Sequence, residues 1–248
     1  MVRRRALAGW LVCWASVCAP AVSAAPASAG CARAKGPGVV SDPAATDWAG
    51  LCQYRESDRA LQAPGHHVVR AVFMGDSITF LWGQDNPGLF DGEYVDRGII
   101  GQTTQQMLLR FRQDVIDLHP AVVHILAGTN DLLQLGGAVT VQDMAGDIRS
   151  MAELAAANHI AVVLATVPPW GGTVGSPPQR AALRAFNAWL RSYARQQKLP
   201  LADYFAVLVD RSGSFTPALT ADGVHPSKQG YALMEPLAGI VLAAALDR

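Results

Sequence analysis

The segment Val72-Phe73-Met74-Gly75-Asp76-Ser77-Ile78 is an apolar run that breaks into Gly-Asp-Ser. A near-continuous apolar run is typical of a strand that is covered on both faces of a sheet. The serine therefore lies where a buried strand gives way to the next element. Far downstream, Asp222-Gly223-Val224-His225 places a carboxylate and an imidazole three residues apart.

These three side chains together predict nucleophilic catalysis. A serine hydroxyl is a poor nucleophile at neutral pH, so it needs an imidazole to accept its proton. The imidazole in turn needs a carboxylate that orients its ring and stabilises its charged form. We therefore predict a serine hydrolase in which Ser77 attacks, His225 acts as the base and Asp222 orients His225.

Outward from the first run, apolar segments and helical periodicities alternate along the chain. We predict strands at residues 68–74, 94–97, 121–127, 161–167 and 199–204. Helices are predicted at residues 48–63, 103–118, 141–158, 178–197 and 228–246. This alternation indicates an α/β fold with a central parallel sheet of about five strands and helices on both faces.

Composition restricts the class of protein. The 248 residues are 50% hydrophobic and 16% charged, which suits one α/β hydrolase domain, predicted at residues 68–248. The 20 basic and 20 acidic residues cancel, and no basic stripe is present. The charge pattern therefore argues against a nucleic-acid partner.

The first 24 residues have the order of a secretory signal. Arg3-Arg4-Arg5 precedes an apolar stretch at residues 6–19, and small residues follow at Val22-Ser23-Ala24 and Ala27-Ser28-Ala29. The stretch is shorter than the ~20 residues that span a bilayer, and Pro20 interrupts it. We therefore expect a signal peptide at residues 1–24, export to the periplasm or beyond the cell, and no stable membrane insertion of the mature chain.

The segment between the signal and the hydrolase domain, residues 25–67, contains two cysteines. Removal of the signal leaves Cys31 and Cys52 as the cysteines of the mature chain. A pair in an oxidising compartment is usually bonded, so we predict a disulfide between them. Two free buried thiols are the alternative. The role of this segment is not assigned by any motif.

Each polar motif falls at a strand end or before a helix, where the sites of open parallel sheets gather. Gly75-Asp76-Ser77-Ile78, Gly98-Ile99-Ile100-Gly101-Gln102 and Gly128-Thr129-Asn130-Asp131 follow the first three predicted strands. With Asp222-Gly223-Val224-His225, these four blocks resemble the SGNH hydrolases, also called GDSL esterases. The first block has Ile where the family usually has Leu.

The resemblance implies a role for each matched position. Ser77 would be the nucleophile, and the last block would supply the acid and the base. The oxyanion hole would consist of the N–H groups of Ser77 and Gly101 and the side-chain amide of Asn130. Gly98 is the competing assignment for the glycine.

The resemblance also implies a flavodoxin-like three-layer α/β/α sandwich and ester hydrolysis without a metal or other cofactor. We expect a small-molecule or carbohydrate ester as substrate, with acetyl esters first, because family members with short inserts often act on small esters. The alternatives are a lysophospholipase or thioesterase, an O-acyltransferase, and a non-catalytic carbohydrate-binding protein on the same fold.

Two aromatic residues and two histidines complete the candidate sites. Trp82 and Trp170 follow strand ends and are predicted to line the substrate cleft, with packing against helices as the alternative. His66-His67 has no carboxylate or cysteine nearby in sequence, so no metal site is predicted there. An α/β-hydrolase is disfavoured because Thr79 stands where its nucleophile elbow requires glycine.

Overall fold

The computed structural model of the protein describes residues 47–90 and 92–247. Its strands are β1 Ala71–Gly75, β2 Tyr94–Gly98, β3 Val122–Leu126, β4 Ala161–Ala165 and β5 Leu201–Ala202. Its α-helices are α1 Arg55–Leu61, α2 Ser77–Asp85, α3 Thr104–Asp114, α4 Thr129–Leu132, α5 Val141–Ala157, α6 Pro177–Gln197, α7 Tyr204–Leu208 and α8 Lys228–Leu246. The predicted signal peptide and Cys31 lie outside the described residues, so the export signal and the disulfide remain predictions.

The strands form one parallel sheet in the order β2-β1-β3-β4-β5. This is the flavodoxin-like order, in which the connections leave β1 and β3 in opposite directions and open a crevice between their carboxyl ends. The predicted three-layer α/β/α fold is thus confirmed. Ser77 follows β1 and Asn130 follows β3, so both residues lie at that crevice.

Burial on both faces explains the apolar strands. Val72 and Met74 belong to a core that α3, α5 and α6 cover, whereas Ala71 and Phe73 belong to a second core beneath α2, α7 and α8. Successive side chains of a strand point to opposite faces of the sheet, so β1 contributes to both cores. The sheet is therefore held rigidly between two helical layers, and the loops at its carboxyl edge are placed by it.

Three predicted elements are shorter in the structure by four or more residues. The helix predicted at residues 103–118 ends at Asp114, and Val115 leaves helical geometry before a 3₁₀ turn at Ile116–Leu118. The strand predicted at residues 199–204 is reduced to Leu201–Ala202, because the Asp203 carboxylate accepts from Ala206 N and begins α7. The helix predicted at residues 48–63 is confined to Arg55–Leu61.

Among the described residues, α8 is a helix long and apolar enough, by length and composition alone, to cross a membrane. Its buried side chains, which include Tyr231, Met234 and Leu242, pack in the core beneath the sheet. We therefore interpret α8 as a core helix.

A buried ion pair fastens the N-terminal part of the described chain to the sheet. The Arg97 guanidinium, at the end of β2, donates from Nε and Nη2 to Asp58 Oδ1 of α1 at 2.9 and 2.6 Å. The two side chains are 3% and 7% exposed. The guanidinium also lies 4.6 Å from the centre of the Tyr54 ring. Helix α1 is therefore anchored to the edge strand that precedes the Gly101 loop.

We predict that Asp58→Ala destabilises the protein far more than Glu93→Ala. The first variant leaves Arg97 buried without its carboxylate, which costs about 3–5 kcal/mol. The second removes the exposed Arg70–Glu93 pair, whose side chains are 52% and 60% exposed, and costs at most about 1 kcal/mol. Urea unfolding monitored by tryptophan fluorescence measures both, and equal losses would contradict the anchoring role.

Candidate active site

Ser77 occupies the first position of α2, immediately after the turn that leaves β1. Its neighbour Asp76 is the N-cap, and the Asp76 carboxylate accepts from Ile78 N at 2.9 Å. The Tyr231 hydroxyl of α8 donates to the carbonyl of the same residue, Ile78 O, at 2.8 Å. Because both backbone groups of the residue after Ser77 are bonded in this way, the backbone that carries Ser77 is held in place at the crevice.

The loop that carries Asp222 and His225 is held in shape by hydrogen bonds within the loop. Asp222 Oδ1 accepts from the backbone N–H groups of Val224 and His225 at 2.9 and 2.8 Å. The His225 carbonyl accepts from Thr220 Oγ1 at 2.8 Å and from Ala221 N at 3.0 Å. The three-residue spacing seen in the sequence is thus a turn that presents both side chains on the same side.

Ser77, His225 and Asp222 form a continuous line of hydrogen bonds. Ser77 Oγ lies 2.8 Å from His225 Nε2, and His225 Nδ1 lies 2.7 Å from Asp222 Oδ2. Since the carboxylate only accepts, Nδ1 carries a proton and Nε2 of the neutral ring is free to accept from the serine. Ser77 lies 145 positions before Asp222 in the sequence. The fold nevertheless brings the three predicted residues into the arrangement that proton transfer from the serine requires.

The protonation state of Asp222 favours the orientation of His225 seen in the structure. Partial burial by itself raises the pKa of Asp222, but the hydrogen bonds from the backbone and ring of His225 and from Val224 N outweigh it and hold that pKa below its usual value. The acid therefore stays ionised at neutral pH. Behind the serine, burial raises the pKa of Asp76 to about 6, against the opposing effects of the Ile78 N–H and the charge of His225.

The backbone sets the position of two groups that are predicted to be oxyanion donors, the N–H groups of Ser77 and Gly101. Ser77 N lies at the N-terminus of α2, where a helix has no intrahelical partner for its N–H groups. Gly101 has φ of +80°, a left-handed conformation that favours glycine. By contrast, the competing Gly98 donates its N–H to Asp96 Oδ1 at 2.6 Å. The Gly98 N–H is therefore occupied, and the geometry favours Gly101.

Asn130 joins the two loops that carry these donors. Its Nδ2 donates to Gln102 O at 2.8 Å, next to Gly101, and lies 3.5 Å from Asp76 Oδ2, next to Ser77. The side-chain amide is thus set between the first and second blocks. Unlike the single N–H of Gly98, it has two N–H groups, and its contact with Asp76 is long at 3.5 Å. The next residue, Asp131, accepts from Thr104 N at 3.0 Å and from Thr104 Oγ1 at 2.7 Å, which attaches the third block to the start of α3.

The structure corrects the prediction for the two tryptophans. Trp82 is 0% exposed and stacks on Tyr231 at 5.6 Å between ring centres, in the core beneath α2 and α8. Trp170 is 1% exposed and lies in the other core. Neither ring has surface to offer a ligand. Trp82 lies four residues after Ile78, which is also buried, so helical spacing in the sequence could have indicated its burial.

Two buried polar residues behind the Gly101 loop were not singled out by the sequence. Gln102 and Arg110 are both fully buried, and Arg110 Nε donates to Gln102 Oε1 at 2.5 Å. A lone arginine in an amphipathic helix usually faces solvent, so no sequence signal identified it. The mid-strand His124 is a core residue, with Nε2 2.9 Å from the Tyr204 hydroxyl and a pKa that burial lowers to about 3.

Comparison with known proteins agrees with the four motif blocks. The model of the GDSL-like lipase/acylhydrolase family matches residues 73–233. No curated protein matches this chain in sequence.

Solved structures show the same likeness. An acylhydrolase structure from Bacteroides fragilis is 42% identical, with a TM-score of 0.74, and the match covers 80% of this chain and 98% of the other. A GDSL-like lipase from Bacteroides thetaiotaomicron is 40% identical, with a TM-score of 0.72, over 80% of this chain and 99% of the other. An acetylxylan esterase from Geobacillus stearothermophilus shares the fold at 20% identity and a TM-score of 0.61, over 71% of this chain and 95% of the other.

The family match covers well over half of the chain and contains the serine block, the asparagine block and the acid–base block. The resemblance inferred from the motifs is thereby confirmed. The chain belongs to the GDSL-like lipase/acylhydrolase family and is a serine hydrolase of the SGNH type.

Proposed function

We propose that this protein is an exported carboxylic ester hydrolase that forms an acyl-enzyme on Ser77 and acts on short-acyl esters, with acetylated carbohydrates as the first candidates. The observation that carries the proposal is the line of bonds from Ser77 Oγ through His225 to Asp222, at 2.8 and 2.7 Å.

Acylation begins when His225 Nε2 accepts the Ser77 proton and Oγ attacks the ester carbonyl carbon. The carbonyl oxygen becomes negative and is stabilised by the N–H groups of Ser77 and Gly101 and by Asn130 Nδ2. Donors aimed at such an oxygen are each worth about 2.7–4 kcal/mol in other enzymes. The imidazolium then gives its proton to the leaving alcohol oxygen as the carbon–oxygen bond breaks, which leaves the acyl group on Ser77.

Deacylation repeats the same steps with water. His225 accepts a proton from the water molecule as its oxygen attacks the acyl carbon, and the same three donors stabilise the second tetrahedral intermediate. The proton returns to Ser77 Oγ as the carboxylic acid leaves. Asp222 remains ionised throughout and keeps the ring oriented, in agreement with the direction of its pKa.

Two considerations favour a short acyl group. Trp82 and Trp170 are core residues, so they do not form an apolar wall for a long chain. The Geobacillus enzyme that shares the fold is an acetylxylan esterase, and at 20% identity this likeness makes acetylated xylan a substrate to test first. Export is supported by the predicted signal at residues 1–24, which also suits a polysaccharide substrate outside the cell.

We predict that the mature protein hydrolyses p-nitrophenyl acetate faster than the butyrate, and the butyrate faster than the octanoate, in the presence of EDTA. Ser77→Ala should lower kcat by on the order of 10⁴-fold or more, because the nucleophile is lost. The matched control is Ser212→Ala, which removes a hydroxyl in a turn that Asp210 caps.

Failure of this experiment has distinct meanings. Equal activity of wild type and Ser77→Ala would contradict the nucleophile. Activity on no ester would favour the carbohydrate-binding alternative, and a preference for octanoate would favour a lysophospholipase. Acetyl transfer to added xylose in excess of acetate release would favour the acyltransferase.

We predict that Asp222→Asn lowers kcat by about 10²–10³-fold with little change in KM. This is less than the loss of about 10⁴-fold at a buried triad aspartate, because the Asp222 side chain is 54% exposed and solvent screens its charge. The control is Asp210→Asn, since Asp210 also accepts from nearby backbone N–H groups at 2.8 and 3.0 Å. Similar kcat values for the two variants would contradict the role of Asp222.

A further inference from the structure

The segment before α1, residues 47–54, is bound to α3 and its preceding loop by three glutamines. Each glutamine donates from Nε2 to a backbone carbonyl of the segment at 2.7 Å, and the pairs are Gln106 with Trp48, Gln102 with Ala49, and Gln113 with Leu51. The segment is shaped for this contact, because Asp47 accepts from the N–H groups of Leu51 and Cys52 at 2.8 Å and folds it into a turn. We call residues 47–54 the N-terminal turn.

Gln102 has a special place among the three glutamines because it follows Gly101 directly. Its side chain is fully buried, and both ends of the amide are bonded: Oε1 accepts from Arg110 Nε at 2.5 Å and Nε2 donates to Ala49 O at 2.7 Å. Its backbone carbonyl accepts from Asn130 Nδ2 at 2.8 Å. A displacement of Gln102 therefore moves the two donors that flank it, the Gly101 N–H and the Asn130 amide.

The N-terminal turn is fitted closely to Gln102. Gly50 has φ of +70°, and a Cβ at this position would lie 2.9 Å from Gln102 Nε2 and 3.0 Å from Ile99 Cδ1. Glycine therefore lets the turn approach the loop that carries Gly101. On the far side, the Tyr54 hydroxyl donates to Gly98 O, at the beginning of the same loop. The turn thus contacts the loop on either side of Gly101.

We propose that the N-terminal turn is a positioning element of the oxyanion hole and that it acts through Gln102, a positioning residue that sets the Gly101 N–H and the Asn130 amide. This proposal rests on the proposed function, because it assigns these two groups to the oxyanion. The physical reason is that preorganised donors lose their effect steeply with small displacements, and a misplacement of about 1 Å costs about 10²-fold in rate. The loop between β2 and α3 contains a turn that the bond from Gln102 N to Ile99 O closes at 3.3 Å, and contacts from outside the loop fix its position.

The test compares Gln102→Ala with Gln113→Ala. Both variants remove a glutamine–carbonyl bond of the same length to the same N-terminal turn, but Gln113 lies at the far end of α3, away from Gly101. Loss of this bond in Gln113→Ala should lower Tm by about 2–4 °C. Gln102→Ala also removes the Oε1 acceptor of the buried Arg110, so its Tm should fall further. We expect Gln102→Ala to lower kcat for p-nitrophenyl acetate by about 10–100-fold with KM nearly unchanged, and Gln113→Ala to leave kcat within about twofold of wild type.

A second readout separates the oxyanion hole from general loosening. Ethylboronic acid forms a tetrahedral adduct on a nucleophilic serine, with a boronate oxygen where the oxyanion lies. Its Ki should rise in Gln102→Ala by the same factor as kcat falls and should not change in Gln113→Ala.

A third variant acts from the other side of the contact. Gly50→Ala leaves the Gly101 loop untouched in sequence but forces the N-terminal turn away from Gln102, so it should lower kcat and raise the boronate Ki together. Equal kcat and Ki in the Gln102 and Gln113 variants, or a normal kcat in Gly50→Ala, would overturn the proposal. An inactive wild type would instead overturn the proposed function, so the two failures are distinguishable.

Discussion

The geometry of the site depends on the hydrogen bonds that the buried Arg110 guanidinium donates. It is fully buried and donates to Gly75 O at 3.0 Å, Arg97 O at 2.8 Å and Gln102 Oε1 at 2.5 Å. These acceptors lie at the end of β1, at the end of β2 and in the Gly101 loop. Parallel strands diverge where their ladder ends, and their last carbonyls need other donors. One planar cation with five N–H groups supplies them at a single point.

The charge of Arg110 is balanced within its own helix. Nη1 donates to Asp114 Oδ2 at 2.8 Å, and both side chains are 0% exposed. Desolvation of such a pair is costly, and removal of one partner alone is expected to cost about 3–5 kcal/mol. An apolar side chain of the same size would avoid the desolvation, but Arg97 O and Gln102 Oε1 would lose their bonds to Arg110 and Gly75 O would keep its bond from Ile99 N alone. The arginine thus reflects the need to join the strand ends that carry Ser77 and Gly101.

Further hydrogen bonds connect the remaining motif blocks to the strand ends that Arg110 joins. Asn130 bridges the neighbours of Ser77 and Gly101, and Asp131 ties the third block to the start of α3. The loop that carries Asp222 and His225 is bound to the segment after β4, because Gly171 N donates to Gly223 O at 2.8 Å. The Arg180 guanidinium in turn donates to the carbonyls of Trp170 and Gly172 at 3.0 and 2.8 Å. Rigidity of this kind is what catalysis by preorganised donors requires.

Sequence patterns predicted the parts of this arrangement that depend on periodicity and strand ends. The apolar run before Gly75 predicted a buried strand, and the motifs at strand ends predicted that Ser77 and Asn130 lie at the carboxyl edge of the sheet. Periodicity could not predict the long-range polar contacts. In the sequence, Gln102 and Arg110 look like ordinary exposed polar residues, and nothing near them indicates their bonds to Ala49, Gly75 and Arg97. The strand at β5 was overestimated because the Asp203 cap starts a helix where apolar residues continue.

The most direct test of the central claim is the reaction of the mature protein with a fluorophosphonate, followed by mass spectrometry of its peptides. An activated serine displaces fluoride from phosphorus, so the probe reports the nucleophile whatever the natural ester is. We expect one adduct, on Ser77, at a rate that falls on the order of 10²-fold or more in His225→Ala, because the base is lost. An adduct on another residue, or an equal rate in His225→Ala, would contradict the roles of Ser77 and His225.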